Sequence, residues 1–135
     1  MIVWHLKLVG ALLIGLALAH LTFPKRFDWG NDLAKLQLLN RQMFWVHCFF
    51  LCLTLTLMGS LCLLWPQAFL EGGELRRLVS GGFAFFWFMR LLIQFFVYDP
   101  QLWRDKSFET VVHVVFGFLW SYFTLVFLWV FVTSP

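Results

Sequence analysis

The sequence predicts an all-α integral membrane protein, an antiparallel up-down-up-down four-helix transmembrane bundle, and three observations carry that expectation. First, only 13% of the 135 residues are charged and 61% are hydrophobic, with a mean hydropathy of +0.82. A soluble domain carries roughly a quarter charged residues, and an apolar surface of this extent would self-associate in water. Second, four apolar stretches each approach the ~20 residues that cross a hydrocarbon core. Third, the linkers between them are short, which forces successive helices to run antiparallel. Open sheets and irregular backbone leave polar groups unsatisfied in hydrocarbon, so the stretches are read as helices.

The first span covers about residues 2–23 and is closed by Pro24. Its Ala17-Leu18-Ala19 has the small-residue spacing of a signal-peptidase site. However, no basic segment precedes the apolar run, which exceeds a usual signal core, so a retained helix is expected. The second span covers about 43–65, closed by Pro66, and the third about 78–98, ending at Asp99-Pro100. A proline cannot continue the hydrogen-bonded ladder, and it restricts the residue before it. The fourth span covers about 110–133.

Residues 1–135 therefore read as a single transmembrane domain. In the first linker, Asn31 or Asp32 is placed to cap a short interfacial helix over about 31–42, with Leu33, Leu36 and Leu39 at helical spacing. The linker 66–80 contains Gly72-Gly73 and Arg76-Arg77, and the linker 99–109 is short and charged. Lys25, Arg26, Lys35, Arg41, Arg104 and Lys106 fall on one face, against Arg76, Arg77 and Lys7 on the other. That asymmetry places the first face inside and both termini on the non-cytoplasmic side, with a bacterial inner membrane as the expected location.

Several functions find no support. The net charge of +3, without a basic run longer than two, argues for no nucleic-acid partner. Cys48, Cys52 and Cys62 lie in one apolar stretch with no CxxC spacing, so they read as small apolar residues rather than a disulfide framework. There is no phosphate-binding glycine loop, no GxSxG, no HExxH and no paired carboxylates.

The informative positions are the polar residues inside the spans, each costly unless paired or hydrated. They are His5, His20, His47, Arg90, Gln94 and His113. Counted from the span ends, His20, His47, Gln94 and His113 fall roughly 6–8 Å below one surface, one residue from each helix. Arg90 lies one turn deeper than Gln94 on the same stripe, with Trp87 and Tyr98 also on it. His20, His47 and His113 are a candidate ligand set for a single transition metal, since neutral imidazole binds Zn, Cu and Fe. His47 and His113, on diagonal helices, are a candidate pair for one b-type haem, with Gly117 leaving room for the macrocycle. Arg90 and Gln94 would then hold the cofactor, or an anionic or quinone-like ligand.

The arrangement of His47, His113 and Gly117 resembles the four-helix core of cytochrome b, where the second and fourth helices supply haem ligands. The resemblance implies a single haem, because Leu61 and Phe127 stand where a second histidine pair would be needed. The chain departs from that pattern in placing Arg90 deeper than the histidines. Two functional readings follow, and whether the chain is an enzyme stays open between them. One is a small redox or metal-binding membrane protein with a histidine-rich site near the cytoplasmic face. The other is a non-catalytic structural or assembly subunit of a larger membrane complex, whose polar residues bond helices together or contact lipid. The bilayer, and other membrane subunits, are the expected partners.

Overall fold

Long runs of Leu, Phe, Ala and Trp offer the backbone few competing side-chain hydrogen bonds, so helix propagates until a proline, glycine or capping group intervenes. The computed structural model describes residues 1–71 and 73–133, and every regular element among them is helical. The elements are α1 (Ile2–Ala19), α2 (Phe23–Arg26), α3 (Trp29–Ala34), α4 (Leu38–Leu64), α5 (Gly73–Phe96) and α6 (Ser107–Val132), with 3-10 turns at Pro66–Phe69 and Pro100–Leu102. The helices α1, α4, α5 and α6 are long and apolar enough to cross a membrane.

The bounds of five helices depart from the expected ones. Pro24 does not close α1. That helix ends at Ala19, where His20 Nδ1 meets the Leu16 carbonyl at 2.7 Å and the Thr22 hydroxyl donates to the Ala19 carbonyl at 2.7 Å. Pro24 instead sits in the first turn of α2, where its missing N–H costs nothing. The short helix of the first linker is α3, Trp29–Ala34, where 31–42 was expected. Its N-cap is Asp28 in the left-handed region (φ 51°), a conformation short polar residues tolerate. Asn31 is inside α3 and its amide donates to both Asp28 carboxylate oxygens, at 3.0 and 2.8 Å. Residues 38–42 already belong to α4, which is 27 residues long. Likewise α5 starts at Gly73, so Arg76 and Arg77 are helical, with the Arg76 guanidinium donating to the Leu70 carbonyl. The preceding Gly72 lies outside the described residues. Finally, α6 begins at Ser107, three residues earlier than its hydropathy suggested.

The contacts divide the chain into two units, Val3–Pro66 and Gln67–Pro135. In the first, α1 and α4 cross where two glycines meet. A Cβ built on Gly10 would stand 2.7 Å from the Gly59 carbonyl oxygen, and one built on Gly59 would stand 2.9 Å from that of Gly10. Small residues at such a crossing let helix backbones approach closely. At the other end of the unit, Trp29 packs edge-on against Phe44 (4.8 Å) and Trp45 (5.8 Å), tying α3 to the start of α4. The buried residues of α4 are Leu55, Met58, Gly59 and Cys62, so nothing from Leu38 to Thr54 is buried.

The second unit is a hairpin of α5 and α6. Its contacts step backward along α6 as α5 advances: Gly81 meets Phe131, Trp87 meets Trp120, and Gln94 meets His113. The two helices therefore run in opposite senses. Buried α5 residues recur as Arg76, Ser80, Ala84, Trp87 and Gln94, and those of α6 as Gly117, Trp120, Phe123, Val126, Phe127 and Val130. Both series keep the spacing of one helical face. Phe69 reaches this unit from its 3-10 turn and packs on Phe83 and Phe127.

Burial within the four long helices is slight: 22–33% of each apolar window. Many of the remaining large apolar side chains, Phe49, Phe85, Phe96 and Phe118 among them, stand exposed. This is the reverse of a water-soluble surface.

Candidate functional site

Arg90, Gln94, His113 and Trp120 form one connected network across α5 and α6, centred on Gln94. This side chain is 6% exposed. Its Oε1 accepts from Trp120 Nε1 at 3.2 Å and, at 3.4 Å, from the Arg90 guanidinium. Its Nε2 lies 2.8 Å from His113 Nδ1. The indole N–H can only donate, so it fixes which end of the Gln94 amide is the oxygen. The amide nitrogen then donates to His113, and Nδ1 must accept. The neutral imidazole therefore carries its proton on Nε2.

The rings around this network hold it in place. Trp103, from the turn before α6, stacks on His113 with centroids 3.8 Å apart and planes 11° from parallel. Phe95 meets the same imidazole edge-on at 5.6 Å. Deeper in the hairpin Trp120 stacks on Trp87 at 5.2 Å and on Phe116 at 5.3 Å. The Arg90 guanidinium lies over the Trp120 ring at 4.9 Å and the Tyr98 ring at 5.6 Å. No carboxylate pairs with it among the described residues. Each ring contact contributes about 0.5–2 kcal/mol, more when water is excluded.

The expected stripe of Arg90, Gln94 and Tyr98 is thus present, with one change. Trp87 does not take the cation. It stacks on Trp120 and buries its indole Nε1 without a hydrogen-bond partner. Gly117 does not leave space for a macrocycle in the hairpin either: a Cβ there would meet the tip of the Phe95 ring at 3.1 Å, so that ring occupies the room.

His20 and His47 lie in the first unit, each closing on its own helix. His20 is the C-cap of α1 rather than a residue within it, and its ring leans on Phe23 at 4.6 Å. His47 is exposed on α4, with Nδ1 2.6 Å from the Met43 carbonyl. A carbonyl only accepts, so in both rings Nδ1 carries the proton and Nε2 keeps its lone pair. Metal-bound histidines are commonly oriented by such a bond. His113 has the opposite polarity: its Nδ1 lone pair is engaged by Gln94 and its Nε2 is protonated. Among the described residues no group of three or more His, Cys, Asp or Glu is placed to hold a metal ion. The cysteines are free, Cys62 buried and Cys48 and Cys52 half-buried.

Two members of the network escaped the sequence reading, Trp103 and Trp120. The signal for Trp120 was present, because 113, 117 and 120 share one helical face. Trp103 comes from a 3-10 turn whose path periodicity does not report. Comparison with protein-family models, with curated proteins and with solved structures finds no match.

Proposed function

We propose that the chain is an integral membrane protein of four antiparallel spans that serves as a non-catalytic structural or assembly subunit of a larger membrane complex. The observation that carries this reading is the closure of the Gln94 network. The amide serves His113 and Trp120 across the hairpin and Arg90 on its own helix, so both of its ends are engaged by protein partners and it bonds α5 to α6. The low burial of the long helices, and the wholly unburied first half of α4, leave surface for lipid and for neighbouring membrane subunits. The test is an absorbance spectrum and metal analysis of protein purified from its native membrane. We expect no haem Soret band and far less than one metal per chain. A Soret band that disappears in His47→Ala would overturn the proposal.

One observation favours the redox reading instead. His20 and His47 both present an unprotonated Nε2, the state that ligates iron, copper or zinc. A haem or single metal held by His47 would have to draw its second strong ligand from a group other than His113 as now bonded, or release the Gln94 amide. The same spectrum decides between the two readings.

The basic asymmetry supports an orientation with both termini on the non-cytoplasmic side of a bacterial inner membrane. Gly30 is exposed in α3 with open space around its Cα, so a Gly30→Cys variant reports the side of the first linker. An impermeant thiol reagent added outside intact cells should leave it unlabelled and should label it after permeabilisation, scored against a variant lacking the three native cysteines. Labelling from outside would reverse the orientation.

A further inference from the structure

We propose that Arg90 is a binding site for the phosphate of an anionic phospholipid, a site that does not depend on whether the chain is catalytic. Arg90 has five N–H donors in a planar fork, and the structure uses them sparingly. One makes a long bond to Gln94 Oε1 (3.4 Å), and the ring faces of Trp120 and Tyr98 pack on the cation without accepting strong hydrogen bonds. No carboxylate among the described residues neutralises it. In a helix of this hydropathy an uncompensated guanidinium needs an anion or water.

Its position on α5 says from which side the anion arrives. One flank of Arg90 is the buried seam of Trp87 and Gln94; the other is Phe86, Ile93 and Val97, all exposed. The cation therefore stands at the edge of the seam, open to what surrounds the helix rather than enclosed in a cavity. The contacts with Gln94 and Tyr98 show the side chain extended toward the C-terminal end of α5, which lies six residues on, about 9 Å along the helix axis. A long cationic side chain in that setting reaches for the headgroup level. The aromatic contacts hold the fork in one orientation, which suits a bidentate grip on a phosphate. A phosphate carried by a lipid reaches this edge within the bilayer; a soluble phosphate would first have to leave water.

Native mass spectrometry of the purified chain in mild detergent tests the assignment, using phosphatidylglycerol, phosphatidylcholine and a phosphate-free diacylglycerol of matched chains. We expect phosphatidylglycerol to bind tightest and diacylglycerol not to bind specifically. Arg90→Leu should weaken the phosphatidylglycerol adduct about tenfold or more, and Arg90→Lys less, since it keeps the charge and loses the fork. Arg77→Leu, at the other end of α5, should leave the adduct unchanged. Helicity and elution volume of each variant establish that it is folded, and Arg90→Lys keeps the test decisive should the leucine variant not fold. Equal adducts in wild type and both Arg90 variants overturn the proposal, as does an equal loss in Arg77→Leu, which would mean unspecific attraction. Displacement by millimolar glycerol phosphate would assign the site to a soluble oxyanion and overturn the lipid source.

Discussion

A Gly10→Leu chain is expected to lose its folded state in mild detergent, giving aggregated protein rather than a monodisperse helical peak. Even the first carbon of a side chain at Gly10 would stand 2.7 Å from the Gly59 carbonyl oxygen and 2.8 Å from the Leu63 backbone nitrogen. Those are main-chain atoms, which cannot rotate aside, so α1 and α4 would have to separate. Helices in lipid gain little from hydrophobic burial against each other and depend on close packing. Overpacking costs about 1–3 kcal/mol at ordinary core sites, and alanine at Gly10 should fall in that range with leucine beyond it. Gly59→Ala meets the reciprocal obstacle, the Gly10 carbonyl oxygen at 2.9 Å, together with Ile14 Cγ1 at 2.9 Å. By contrast Gly15→Ala and Gly82→Ala place a methyl group in open space and should melt with the wild type. A Gly10→Leu protein with the wild-type elution and melting profile would show that the α1–α4 crossing does not depend on these glycines.

Gln94→Leu should produce the second large effect, because it strands two partners at once, the buried Trp120 and the half-buried His113. Trp120 Nε1 loses its acceptor and His113 Nδ1 its donor, while the leucine fills similar volume. Interhelical hydrogen bonds in membranes average about 0.6 kcal/mol and reach about 1.7, so losing these two should destabilise the hairpin by about 1–3 kcal/mol. Thermal melts in detergent would register it. Gln94→Glu separates the roles of the amide. A carboxylate can still accept from Trp120 and would pair with Arg90, but it cannot donate to His113. The imidazole must then present a proton at Nδ1. Nitrogen NMR of labelled histidine should show His113 as the Nε2–H tautomer in the wild type and Nδ1-protonated in Gln94→Glu. Wild-type stability in Gln94→Leu, with an unchanged His113 spectrum, would remove Gln94 from the centre of the network and with it the support for the structural reading.

The histidines show where sequence reasoning ends. Four polar residues counted to similar distances from four span ends suggest one layer, and two of those ends, Pro24 for His20 and Met43 for His47, are not where the helices end. Pro24 begins α2 instead, so His20 became a cap, and α4 started five residues early, which left His47 nine residues inside its helix. Proline restricts its own φ and the residue before it, yet it is equally at home in a first turn. Arg90 and Gln94 were legible as a pair because a spacing of four on a helix is a contact by geometry.

The all-helical class and the four helices long and apolar enough to cross a membrane were determined by the sequence alone. Hydropathy summed over some twenty residues outweighs any local signal, and helical spacing follows from the backbone. The tertiary structure alone decided which residues across the helices meet. The register of α5 on α6 sets Trp120 beside Gln94 and Trp103 on His113, and so decides which imidazole nitrogen keeps its proton. The same holds for Gly10 on Gly59. A glycine marks where a close approach is permitted, but only side-chain packing over the whole length of two helices selects the place where it happens.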